Sequence, residues 1–206
     1  MTNAKFITLE GGEGVGKTTN LEFVRQFLES RGKRLVVTRE PGGTRVGEQI
    51  RSILLGDHSI SADAELLLMF AARAQHLSEV IFPALASGMW VLSDRFTDAS
   101  YAYQGGGRGI DPSFIGELEL RVQHQLQPDL TLLFDAPVEV GMARARKRGA
   151  SDRFEAETLA FFERVRGAYL ARAGRFPERI KNIDANRPLS VIQDEIAAHL
   201  EAICRV

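Results

Sequence analysis

The chain has 206 residues, 44% of them hydrophobic, and 26 Lys+Arg against 27 Asp+Glu give a formal net charge of -1. That balance excludes the basic excess with which a sequence-independent nucleic-acid binder displaces counterions, and no nucleic-acid partner is expected. Mean hydropathy is -0.12 and no apolar run reaches the length of about 18 residues that a membrane span needs, so no membrane association is expected.

Five short, continuously apolar runs read as strands covered on both faces, at 6–10, 35–38, 89–94, 130–135 and 179–184. Helical spacing separates them. Leu21, Val24 and Leu28 follow the first run, with Gly32 placed to end the helix. The stretch 61–86 reads as one long helix, capped by Ser61 or Asp63 and kinked by Pro83. Ile115, Leu118, Val122 and Leu126 mark another, stopped by Pro128; a further helix is expected over 155–173. The last begins at Ser190 with a Ser-x-x-Gln capping box and carries Ile192, Ile196, Leu200 and Ile203. Strands alternating with helices indicate an α/β fold with a parallel sheet and right-handed crossovers, in one domain over 1–206. The first residues lack the charged-then-apolar layout of a signal peptide, so a cytoplasmic location is expected.

Chemistry concentrates first at Gly11-Gly12-Glu13-Gly14-Val15-Gly16-Lys17-Thr18, followed by Thr19. The string matches G-x-x-x-x-G-K-[ST] at each fixed position, between a strand and a helix, as a phosphate-binding P-loop requires. Glycines let the backbone wrap closely, so that successive amides converge on phosphate oxygens at the positive end of the following helix. Lys17 supplies a point charge for the β- and γ-phosphates and Thr18 a hydroxyl for Mg²⁺.

A P-loop implies a nucleoside triphosphate, not its use. A GTPase switch would carry Asn-Lys-x-Asp, and Lys181-Asn182-Ile183-Asp184 has the order wrong. A small-molecule kinase needs an acceptor site and a closing lid, which a chain of this length can hold. A nucleotide-driven switch protein is the alternative from another class, and a kinase for another small acceptor the alternative within enzymes. Two runs end in an acid, Asp94 and Asp135, on the sheet edge where the P-loop lies, and either can support Mg²⁺. The single Cys204 cannot form an internal disulfide, and the four histidines lack HExxH spacing, so structural zinc is not expected. Of the basic residues 21 are Arg and 5 are Lys, a bias that suits bidentate recognition of phosphate and also follows from codon usage.

Four further strings occur in register: Thr38-Arg39-Glu40-Pro41-Gly42-Gly43-Thr44, Phe70-Ala71-Ala72-Arg73-Ala74-Gln75-His76, Asp94-Arg95-Phe96, and Tyr103-Gln104-Gly105-Gly106-Gly107-Arg108-Gly109. Together with the P-loop they resemble the bacterial thymidylate kinase family over nearly the whole chain. The resemblance implies a three-layer P-loop nucleoside monophosphate kinase fold with a five-stranded parallel sheet, Mg-ATP as donor, dTMP as acceptor, and a homodimer. It implies that Arg95 and Arg51 grip the acceptor phosphate, that Arg73 donates to thymine O4, and that Ser100 and Gln104 meet the base edge. Glu40 and Pro41 belong to the same acceptor site. Tyr103 would lie beneath the deoxyribose, and Glu13 would approach the sugar or the acceptor phosphate. Asp94 and Thr18 would serve the metal.

Two positions depart from the family pattern. The stacking aromatic usually stands four residues before the helix arginine, where this chain has Met69; Phe70, three before it, is the expected stacking residue. A serine common in the family is replaced by Ala99, beside Ser100. The basic run Arg144, Arg146, Lys147, Arg148 and then Arg153 resembles the lid, over 142–154, of family members whose P-loop lacks an arginine. Arg148 and Arg153 are then expected to meet the charge on the transferring phosphoryl, with Arg144 over adenine.

Overall fold

The computed structural model describes residues 4–56, 59–147, 153–154 and 157–205. Five parallel strands form one sheet: β1 Phe6–Gly11, β2 Leu35–Arg39, β3 Trp90–Asp94, β4 Leu130–Asp135 and β5 Ile180–Asp184, in the order β2-β3-β1-β4-β5. The expected strands are therefore found, with ends shifted by one residue. β1 is central and wholly buried. Alternation along it divides the core. Ile7 and Leu9 join Val24 and Leu28 of helix α1 (Lys17–Ser30) and Ile192, Ile196 and Leu200 of helix α9 (Leu189–Cys204) on one face.

Phe6 points the other way, packing edge-on against Phe96 at 4.9 Å between ring centroids. That second face is covered by α4 (Phe82–Ala86) and α8 (Leu159–Arg175), whose Phe161, Phe162, Val165 and Tyr169 are buried. Helices on both faces explain why the strands read as continuous apolar runs. The result is a three-layer α/β fold.

The remaining helices are α2 (Arg45–Leu55), α3 (Ala62–His76), α5 (Thr97–Ser100), which runs on into a π-helical segment Tyr101–Gly107, α6 (Pro112–Gln123) and α7 (Val138–Arg146). α1 ends as expected. Gly32 adopts φ 69° while its amide and that of Lys33 close on the carbonyls of Glu29 and Leu28, a Schellman closure. Ser61 caps α3, accepting from the Ala64 amide. The stretch 61–86 is not one regular helix. Pro83 has no N–H for the Glu79 carbonyl, and a widened π turn at Leu77–Ile81 carries the chain into α4.

Three helix boundaries differ from the sequence reading. α6 stops at Gln123, five residues before Pro128, because His124 and Gln125 take positive φ, so Leu126 lies beyond the helix. α8 starts at Leu159, where the Thr158 hydroxyl accepts from the Phe161 amide. α9 starts at Leu189 after Pro188, so Ser190 lies inside the helix and no side-chain capping box forms.

The P-loop is held from behind by α7. A Cβ on Gly14 would lie 1.9 Å from the Gly141 carbonyl oxygen, and one on Gly141 would lie 2.4 Å from that of Glu13. Two backbones thus touch without side chains between them. Gly141→Ala should push α7 off the loop and cost about 1–3 kcal/mol of stability. Gly167→Ala, in α8 with open space around it, should stabilise by about 0.5–1 kcal/mol. Urea unfolding of both variants checks the pair; equal midpoints would mean that the α7 contact yields freely.

Candidate active site

β1 delivers the chain to a turn with positive φ at Gly11, Gly14 and Gly16 (136°, 69° and 88°). Gly16 caps α1 without a side chain, and no acidic residue occupies the first turn. The first amides of α1 therefore face the cavity with no protein side chain accepting from them at the cap, which is the electrostatic form of an anion site. Lys17 lies against its own loop, its Nζ donating to the carbonyls of Gly11 and Gly12 at 3.0 and 2.7 Å. Burial, and then the nearby Arg95, push the Lys17 ammonium down to about 8.

The cavity beside this loop encloses about 170 Å³. Glu13 to Thr18 form one wall; Arg39, Glu40 and Pro41 arrive from the end of β2 and the turn after it, and Arg51 and Leu55 from α2; Met69, Asp94, Arg95, Ala99, Tyr103 and Phe154 complete it. Thr19 follows on the exposed side of α1, and Val15 turns back into the core beneath. Residues far apart in sequence are brought together because β1 and β3 are neighbours, with Leu9 opposite Asp94.

Arg95 is the centre of this assembly. Its backbone adopts φ 70°, held by its amide on the Leu9 carbonyl and by the Ser93 hydroxyl on its own carbonyl. Its guanidinium donates to Glu13 Oε1 at 2.5 Å, to the Gly11 carbonyl at 3.1 Å and to the Tyr169 hydroxyl at 3.3 Å, and lies over the Tyr103 ring at 4.7 Å. Tyr103 donates to the same Glu13 oxygen at 2.9 Å, while its ring is held edge-on by Phe154, Phe161 and Tyr169. Burial pushes the Tyr103 hydroxyl well above its ordinary value, so it acts as a hydrogen-bond donor at neutral pH.

Sequence reasoning missed Glu10 and Tyr169. The Glu10 carboxyl accepts from the Phe96 amide at 2.7 Å and from the Tyr169 hydroxyl at 2.8 Å. Burial, then the charge of Asp98, push it up to about 8. An acid closing an apolar strand was the available signal for Glu10. Nothing local marks Tyr169.

Behind the lining residues lies a second polar group. Arg73, 2% exposed, donates from Nε to Glu40 Oε2 at 2.7 Å and from Nη2 to the Phe96 carbonyl and the Ser100 hydroxyl, each at 3.1 Å. Glu40 Oε1 meets His76 Nδ1 at 2.9 Å, and His76 Nε2 meets the Thr38 hydroxyl at 2.6 Å. Gln104, one turn beyond Ser100, donates to Glu65 at 2.8 Å. Two buried atoms in this group have no partner among the described residues: Arg73 Nη1 and Gln104 Oε1.

Other expected residues fall into distinct places. Arg51 lines the cavity and donates to the Pro41 carbonyl at 3.0 Å. Met69 lines the cavity, whereas Phe70 is buried with Leu66 and Ile115, its ring 4.7 Å from the Arg73 guanidinium carbon. The helical spacing turns the earlier residue toward the opening. Asp94 lines the same cavity as Thr18, and its buried Oδ1 has no partner among the described residues. Asp135 is instead clamped by Arg166 at 2.7 and 2.9 Å and does not line this cavity.

Arg144 donates to the Ala185 carbonyl at 3.0 Å, beside the loop after β5. Arg153 donates to Glu65 at 2.6 Å and to the Leu54 carbonyl at 2.9 Å, and does not line the P-loop cavity. Arg148 lies outside the described residues, as do residues 149–152 of the expected lid.

The chain is similar to known enzymes over nearly its whole length. The family model described as "Thymidylate kinase" matches residues 9–196. A thymidylate kinase of Methylococcus capsulatus is 57% identical over 203 residues, covering 98% of each chain. One of Pseudomonas entomophila is 58% identical over 200 residues, covering 96% of this chain and 95% of that one. The crystal structure of the thymidylate kinase from Ehrlichia chaffeensis superposes with a TM-score of 0.78 at 31% identity, covering 96% and 98% of the two chains. A phosphate-binding turn, an arginine-centred wall and a buried donor and acceptor pair thus lie on a fold and sequence shared with these enzymes, and the chain belongs to the thymidylate kinase family.

Proposed function

We propose that the chain transfers the γ-phosphoryl group of ATP to dTMP, giving dTDP and ADP, and that the cavity beside the P-loop is where the transfer takes place. The observation that carries the choice of acceptor is a pair of buried atoms just behind the cavity lining with no partner among the described residues, an N–H of Arg73 and the carbonyl of Gln104. Thymine presents a carbonyl at position 4 and an N–H at position 3, which complement that donor and that acceptor. Cytosine presents an amino group and a bare ring nitrogen there. Both contacts would then fail, and each buried group left unpaired costs about 1–3 kcal/mol.

In this reading the P-loop amides and Lys17 hold the triphosphate, and Arg144 lies on the adenine side. Arg95 and Arg51 grip the acceptor phosphate, Glu40 and Pro41 shape its end of the site, and Glu13 orients Arg95. Ser100 holds Arg73 in place, and Tyr103 supports the sugar, leaving little room for a 2'-hydroxyl. Met69 on the cavity wall, with Phe70 behind it, supplies the apolar surface for the base. The acceptor phosphate is already anionic, so no general base is needed, and catalysis consists of positioning and charge stabilisation. Thr18 and Asp94 suit Mg²⁺, an ion that takes few protein ligands and keeps water and phosphate oxygens; a buried carboxylate oxygen on Asp94 with no partner among the described residues supports the fit. When bound, that ion would neutralise charge on the β- and γ-phosphates. Arg148 and Arg153 are the proposed lid arginines, and Arg153 must exchange Glu65 and the Leu54 carbonyl for the nucleotide to act there. Exposed Leu67 on α3, and Phe114 and Leu120 on the adjoining α6, support a homodimer packed through these helices.

Three expectations test this reading. In an ADP-release assay with dTMP, dUMP, dCMP, dGMP and AMP, dTMP should be preferred over dCMP by about 100-fold or more. Its preference over dUMP should be only a few-fold, since one methyl is worth about 0.8 kcal/mol; a different preferred acceptor overturns the acceptor assignment. Arg153→Ala should lower kcat far more than it raises the KM for dTMP, and unchanged turnover removes that residue from the lid. Because Lys17 loses its proton as pH rises through about 8, ATP binding should weaken above that pH and take up a proton near it. Calorimetry in buffers of different ionisation enthalpy measures the uptake, and binding without it would contradict the role given to Lys17.

A further inference from the structure

Glu65 stands in the first turn of α3, fully buried; in the reading above it releases Arg153 to the nucleotide but touches neither nucleotide itself. Three donors from three segments converge on its carboxylate. Gln104 Nε2 lies at 2.8 Å, Arg108 Nε at 3.3 and 3.2 Å from the two oxygens, and Arg153 Nη2 at 2.6 Å. The two guanidiniums offset the cost of burying the charge. They also leave the carboxylate only one thing to do for Gln104, which is to accept.

That restriction has chemical content. The two ends of a glutamine amide have almost the same shape and opposite hydrogen-bonding sense, so packing alone does not choose between them. An ionised carboxylate has no donor, and therefore Nε2 must face Glu65 while Oε1 faces away. Oε1 is the atom with no partner among the described residues.

We propose that Glu65 is a specificity-determining positioning residue: it locks the Gln104 amide so that a carbonyl, never an amino group, is offered to the acceptor base. The proposal rests on the reading that Gln104 meets the base edge. With the lock in place the site selects a base bearing an N–H at that edge. Without it the amide turns over at little cost and offers N–H to a ring nitrogen, which is what cytosine presents.

The test compares kcat/KM for dTMP and dCMP in the full-length enzyme and in Glu65→Gln, Gln104→Ala and Arg153→Ala. Glu65→Gln should lower the dTMP:dCMP ratio about ten-fold, by loss on dTMP and gain on dCMP, whereas a merely structural defect lowers both rates together. An unchanged ratio in Glu65→Gln with a lowered one in Gln104→Ala overturns the role of Glu65 alone. Unchanged ratios in both variants overturn the base-edge reading itself. If Arg153→Ala reproduces the drop, the effect passes through that arginine, and the proposal is again overturned. Circular dichroism reports folding. Should Glu65→Gln fail to fold, Glu65→Asp keeps the charge for Arg108 and Arg153 but withdraws from Gln104 by one methylene, and its ratio should fall likewise.

Discussion

The turn from β1 into α1 is the constraint on which the rest depends. A backbone that leaves a buried strand and enters a helix with positive φ at three glycines points its amides outward instead of satisfying them internally. That arrangement is stable only if something keeps the turn from collapsing. The core side chain Val15 anchors it below, and the backbone of α7 meets it at Gly14 and Gly141. Lys17 closes it by donating to the carbonyls of Gly11 and Gly12.

Around this turn, charge is arranged in pairs that share partners. Glu13 receives both Arg95 and Tyr103, Glu40 receives Arg73 and His76, and Glu65 receives Arg108 and Arg153 with Gln104. Each carboxylate is placed to fix the direction of a donor. Buried ion pairs of this kind are weak contributors to stability, because desolvation offsets attraction. Their use here is geometric: they hold long side chains to one rotamer, which a site working by positioning requires.

The strands were legible because burial on both faces makes them continuous apolar runs, and the P-loop was legible because its mechanism needs fixed residue types at fixed spacing. Helix ends were less so. Pro83 announces a disturbance, yet only the packed structure shows it taken up by a π turn before the proline. Ser190 and Gln193 have capping-box spacing, but Pro188 starts the helix a residue earlier. Of the two strand-end acids, position alone left both open, and only the family resemblance named Asp94. Arg166, far along α8, takes Asp135 and leaves Asp94 at the cavity.

Sequence by itself determined the class of protein, a P-loop α/β enzyme resembling thymidylate kinases, and named most of the residues that line the cavity. These are local patterns, set by backbone geometry within a few residues. It did not reveal Glu10, Glu65 or Tyr169, nor which of Met69 and Phe70 faces the opening. Glu10 and Tyr169 are 159 residues apart, and Glu65 and Arg153 are 88 apart. A buried polar atom has its meaning from whichever partner the fold brings within about 3 Å, and only the order of the strands decides that.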